Sequence, residues 1–156
     1  MSTLYHGGQS VIGYPKILTQ LSQKDFSWGF YCTYSEEQAV RWATRLGTPG
    51  VVNVYSYDTG KFLRVKRFSG MTEEWLELVA TCRSGASHPY DVVDGPMADD
   101  TIAGCVQDYL SGKIDQEIFW KLARFEDPAH QVCFHTEAAL GALKWESSYV
   151  ASTKES

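Results

Sequence analysis

The chain has 156 residues, 44% of them hydrophobic and 21% charged, and a formal net charge of −5. That length suits one domain with its own core. The acidic balance gives no general attraction to nucleic acid, and no apolar run approaches a membrane span. The N-terminus lacks the charged-then-apolar layout of a secretory signal, so a cytoplasmic location is expected.

Residues 3–6 read as a short strand ending at Tyr5-His6-Gly7. Residues 7–28 hold Gly7-Gly8, Gly13 and Tyr14-Pro15 and read largely as a loop, with residues 17–21 as an extended stretch. A loop this long inside a compact domain is often functional. A short strand is expected through Gly29-Phe30-Tyr31-Cys32-Thr33. Ser35 and Gln38 have the spacing of a capping box, and Glu36 and Glu37 sit at the positive end of the helix dipole. Ala39, Trp42, Ala43 and Leu46 recur at helical spacing as one apolar face, with Gly47 and Pro49 closing the helix.

Residues 51–57 are β-branched and aromatic and read as a strand. Asp58-Thr59-Gly60 reads as a hairpin turn, with residues 62–68 returning. Thr72 caps a second helix with Trp75, Leu78, Val79 and Cys82 as its buried stripe. Residues 90–93 read as a strand stopped by Gly95-Pro96. A helix is expected from residues 99–101 to Leu110. Asp115 caps another, carrying Ile118, Phe119, Leu122 and Phe125 to a break at Asp127-Pro128. Residues 132–135 read as a strand, Thr136-Glu137 opens a short helix, and residues 144–150 form a final strand. Strands and helices alternate without a regular βαβ rhythm, so the class is α+β: one domain over residues 1–150 and a frayed polar tail over 151–156.

The four cysteines, Cys32, Cys82, Cys105 and Cys133, are scattered, which argues against a zinc knuckle or a disulfide framework and for buried apolar roles. His88 lies beside Pro89 and reads as solvated. His130 and His135 flank one strand, but no third ligand has metal-site spacing, so no metal is expected. Lys61, Arg64, Lys66 and Arg67 read as a solvated strand face or a local basic patch. Walker, dinucleotide-fold, serine-hydrolase and zinc-protease motifs do not occur.

Tyr5-His6-Gly7, then Gly29-Phe30-Tyr31 before a helix, then Gln131 opening a late strand, resembles the ADP-ribosyltransferase superfamily in its His–Tyr–Glu branch, which includes diphtheria toxin and the poly(ADP-ribose) polymerases. More narrowly, the chain resembles the small bacterial proteins of the domain-of-unknown-function 3990 family, through residues 4–7, 25–43, 52–57, 90–100 and 131–143. The resemblance implies two small antiparallel sheets forming a central cleft with peripheral helices, and NAD as the substrate lying across it. His6 would bond the adenosine ribose, the Gly7 backbone would meet the nicotinamide amide, and Tyr31 would stack on the nicotinamide ring, with Tyr5 and Gly29 beside them. The activity implied is transfer of ADP-ribose to a macromolecular acceptor. The same resemblance implies the role of toxin in a bacterial toxin–antitoxin pair, with a small antitoxin protein as partner.

Where that family has a glutamate, this chain has Gln131. An amide keeps the bond to a ribose hydroxyl but supplies no charge to an oxocarbenium-like transition state, a loss on the order of 2–4 kcal/mol. Glu126, Glu137, Asp127 or the Asp99-Asp100 pair are candidates to compensate, although Asp99-Asp100 also reads as a plain helix cap. Two other readings stand beside the transferase. One is a binding module that kept the cleft and lost turnover. The other is an interaction domain using Trp28, Trp120 and Trp145.

Overall fold

A computed structural model describes residues 2–17, 29–58, 63–86, 88–98, 100–124 and 129–152. The expected extension of residues 17–21, Trp28, Lys61, Asp99, Phe125, Glu126 and Asp127 therefore lie wholly or partly outside the described residues. The described residues form strands β1 (Ser2–Gly8), β2 (Phe30–Cys32), β3 (Gly50–Tyr57), β4 (Val65–Arg67), β5 (Val92–Pro96), β6 (His130–Phe134) and β7 (Leu143–Ala151). Their helices are α1 (Glu36–Ala43), α2 (Glu73–Arg83), α3 (Asp100–Leu110), α4 (Gln116–Ala123) and α5 (Glu137–Leu140). The class is α+β, with two small sheets. The first runs β1-β3-β7 and the second β2-β6-β5-β4.

Side-chain caps set the helix starts. Ser35, Thr72, Asp115 and Thr136 each accept a backbone N–H from three residues on. Three apolar clusters hold the layers. Leu4, Phe30, Tyr55, Val92, Val132 and Phe134 join the two sheets. Trp75, Val79, Val93, Ile102, Phe119 and Cys133 join the second sheet to α2, α3 and α4. Ala39, Ala43, Val52 and Ala151 lie under α1. Successive residues Val92 and Val93, or Val132 and Cys133, serve opposite faces of the second sheet, as strand pleating dictates.

Several expectations are corrected. The hairpin from residues 51–57 to 62–68 does not form: β4 leaves β3 and pairs in parallel with β5, Val65 opposite Val92. The second sheet is therefore mixed, not antiparallel. Gly95-Pro96 does not stop β5 but ends inside it, opposite Gln131 and His130. Proline is tolerated because β4 reaches only to Asp94, leaving the other side of Pro96 without a partner strand. Ala151 is the buried end of β7, paired with Gly50, so it is not tail. Three cysteines are buried and Cys105 is half-buried, and none of the four is joined in a disulfide.

Helix α1 is shorter than its periodicity suggested, and Trp42 and Leu46 are 50% and 71% exposed. The contact with the sheet is made instead by Ala39 and Ala43. A Cβ on Gly7 would fall 2.1 Å from the Ala39 carbonyl oxygen, and one on Gly50 would fall 2.0 Å from that of Ala43. The backbones approach so closely that the large side chains are left on the helix flanks. Gly47 takes a left-handed φ of +76° in the turn beyond the cap Thr44. On α4, Phe119 and Ala123 are buried, whereas Ile118 and Leu122 face outward.

Candidate functional site

The two sheets meet at one isolated backbone bridge, where Tyr5 and Thr33 exchange hydrogen bonds of 2.8 and 2.9 Å. The sequence motifs converge at this seam. Tyr5, His6 and Gly7 come from β1, Tyr31 from β2 and Gln131 from β6, and all five line one cleft. Gly29 lies on the adjoining hollow with His6 and Tyr31.

His6 is fixed from two sides. Its ring stacks on Phe30 at 4.4 Å with a 23° tilt. Its Nδ1 donates to the Tyr31 carbonyl at 2.6 Å. A carbonyl only accepts, so the proton sits on Nδ1 and Nε2 is the acceptor in the neutral ring. Tyr31 is half-buried against the helical cluster, opposite Cys133, and Gln131 faces the same side of β6 two residues earlier.

The two motif glycines have structural reasons. Gly7 is needed for the approach of α1. A Cβ on Gly29 would fall 2.6 Å from the Phe134 carbonyl oxygen and 2.7 Å from the Cys133 sulfur. Both positions are thus held from behind by packing, with backbone left at the cleft.

The central cleft is narrow, about 40 Å³, roughly the share of one or two waters. More room adjoins it at both ends. A hollow of about 240 Å³ carries Ile12, Tyr14 and Lys16 beside His6 and Tyr31. Another of about 310 Å³ carries Gln38, Arg41, Trp42 and Met97 beside Gln131. Larger hollows of about 590 and 830 Å³ lie outside this line, against Trp145 and against Tyr149. They collect none of the motif residues, so the seam is the better candidate.

Periodicity missed the residues that shape the seam. Gln38 makes half of the expected capping box: its N–H goes to Ser35 Oγ. The Ser35 N–H instead goes to Thr33 Oγ1, and the Gln38 amide turns to Thr33, accepting its hydroxyl at 3.0 Å. Trp42 joins the cleft because α1 packs through its alanines. Asn53 is buried opposite His6. Its Oδ1 accepts from the Ile12 N–H at 2.9 Å and its Nδ2 donates to the Ser10 carbonyl at 3.0 Å. Tyr55 donates to the Ile12 carbonyl at 2.6 Å. Together they set the loop that presents Tyr14 and Lys16. The only sequence signal for Asn53 was a polar residue inside an apolar strand.

The other candidates separate from the cleft. His130 projects from the opposite face of β6 to Gln131, and its Nε2 meets buried Asp94 Oδ1 at 2.5 Å. Tyr34 donates to the same carboxylate at 3.1 Å, and burial first, then Asp94, pushes its phenol up to about 12. His88 is not simply solvated: its ring meets that of His135 edge-on at 4.2 Å, and its Nδ1 accepts from the Tyr90 N–H. Among the described residues no group of three or more His, Cys, Asp and Glu is placed to hold a metal ion. Glu137 lies on the Trp145 hollow. Asp100 opens α3. Lys66 pairs with Glu74, and Arg67 is exposed on β4. Trp120 packs on Phe119 at 5.0 Å, and Trp145 is 40% exposed on β7.

Fold and site together define an α+β protein with a polar and aromatic cleft at the seam of two small sheets. Residues 2–145 match the family described as protein of unknown function (DUF3990), and the chain belongs to that family. No curated protein matches it. Among the described residues no helix is long and apolar enough to cross a membrane.

Proposed function

We propose that the seam binds NAD and that the chain is an ADP-ribosyltransferase of the His–Tyr–Glu type. The observation that carries this reading is convergence: His6, Tyr31 and Gln131, distant in sequence, line one cleft with Tyr5 and Gly7. A cleft between two small sheets is also what the superfamily resemblance implies. His6 offers Nε2 to a ribose hydroxyl, Tyr31 a π-face to the nicotinamide, and Lys16 a cation to the pyrophosphate. In the reaction the bond from nicotinamide to ribose breaks, with its electron pair leaving on the ring nitrogen. The acceptor bonds to the ribose carbon and gives up a proton. The resemblance extends to the toxin of a toxin–antitoxin pair, which predicts growth arrest by the wild-type chain but not by His6→Ala.

One observation favours a second reading, a binding module without turnover. Among the described residues, no Asp or Glu lines the cleft or either adjoining hollow. The position expected to carry the charge holds the Gln131 amide.

Calorimetric titration with NAD tests binding. No heat from NAD or ADP-ribose, with His6→Ala and Tyr31→Ala indistinguishable from wild type, sinks both readings. Nicotinamide release separates them. Release by wild type supports the transferase, whereas a silent wild type with an active Gln131→Glu supports the binding module.

A further inference from the structure

We infer that the hollow beyond Gln131 is a binding site for a nucleobase, the base of the acceptor. The inference deepens the transferase reading, and base binding is measurable without NAD.

The hollow, about 310 Å³, adjoins the cleft through Gln38, Trp42 and Gln131. Its wall combines three chemistries. Trp42 supplies an indole that is half exposed although it lies on a helix packed against a sheet. The Arg45 guanidinium sits over one face of the ring, 4.2 Å from its centroid, and Arg45 does not line the hollow. Gln38 supplies an amide of set orientation: its oxygen is engaged by Thr33, which leaves the NH₂ as a donor. Gln131 supplies a second amide, with donor and acceptor together. An indole face with two amide edges matches a planar heterocycle with hydrogen-bonding edges. Arg41 stands at the same hollow, tied to Glu37 at 2.9 Å in an exposed pair that costs little to open. It suits the phosphate of a nucleotide.

In the transfer, a ring or exocyclic N–H nitrogen of the base forms the bond to the ribose carbon as the nicotinamide bond breaks, and its proton passes to solvent. A free nucleotide and a single-stranded nucleic acid present the same base. The net charge of −5 gives a long polyanion no added attraction.

The test titrates the full chain, without NAD, with the common mononucleotides and with short single-stranded DNA and RNA oligomers. At least one probe should bind saturably. Trp42→Ala and Gln38→Glu should each weaken it tenfold or more, and His6→Ala should leave it within twofold. Gln38→Glu keeps an acceptor for Thr33 while removing the donor, and an unchanged melting temperature shows that it folds. Trp42→Phe, which keeps a ring, should restore part of the affinity. Tighter, salt-dependent binding of oligomers assigns a polymer, and equal affinity assigns a free nucleotide. No binding by any probe, or unchanged binding in both variants, overturns the inference. NAD is titrated separately. Loss of NAD affinity in Trp42→Ala but not in His6→Ala gives the hollow to the adenine of NAD and overturns the acceptor assignment. Nucleotide binding through Trp42 with no NAD binding leaves the base site standing and removes the NAD reading.

Discussion

His6 and Tyr31 are coupled through backbone rather than side chain: the His6 Nδ1 proton goes to the Tyr31 carbonyl at 2.6 Å, from one sheet to the other. The two candidate ligand-binding residues therefore set each other's position. His6→Phe keeps a ring on Phe30 and removes this bond. Stability should fall by about 1 kcal/mol, read from denaturant unfolding, while affinity for NAD should drop at least tenfold. Unchanged NAD affinity would refute a binding role for the imidazole.

Gly7→Ala and Gly50→Ala each push a methyl group into the carbonyl of an α1 residue. Backbone cannot rotate aside as a side chain does, so the helix must lift. Each substitution should cost at least about 2 kcal/mol. Because α1 carries Gln38 and Trp42, the indole environment should change too, visible as a shifted tryptophan emission.

Asn53→Ala strips a buried partner from the Ile12 N–H and the Ser10 carbonyl. The expected loss is about 2–4 kcal/mol. Hydrogen exchange should rise across residues 9–16 more than in α2. Uniform exchange would mean that Asn53 serves the whole fold rather than this loop.

Asp91 joins three elements. It accepts from the Arg64 N–H at 2.9 Å and from the Thr136 hydroxyl at 2.7 Å, while its own carbonyl accepts from the His135 N–H. The Arg64 N–H first, and then Thr136, hold its carboxyl below the ordinary carboxylate value. The folded chain thus binds fewer protons at this site than the unfolded chain. The stabilisation is complete above the unfolded value near 3.9 and is lost as pH falls through the lower folded value. Asp91→Asn should lower stability at pH 7 by about 1–2 kcal/mol and flatten the acid side of a stability–pH curve. An unaltered acid limb would exclude Asp91 as its source.

Local signals read well and distant partners did not. The caps Ser35, Thr72, Asp115 and Thr136 are governed by residues three positions away, so sequence exposes them. The partner of β4 is not local. Period-2 patterning is equally satisfied by a hairpin with β3 and by the parallel pairing with β5 that forms. The site shows the same divide. Its motif residues were legible as motifs, and their shared cleft is a product of the β1–β2 seam. Trp42 was hidden because helical spacing fixes which residues share a stripe, not which side of that stripe a close helix–sheet contact selects. Gln38 was hidden because its capping role was half right.

The glycines at the two motifs have a further consequence. Gly7 and Gly29 look like room made for a ligand, yet the space a side chain would occupy is filled by the protein itself. A search keyed to those glycines would therefore retrieve proteins sharing this architecture whatever their clefts bind. Chemistry would be sorted by the side chains that line the seam, Gln131, Gln38 and Trp42 first among them.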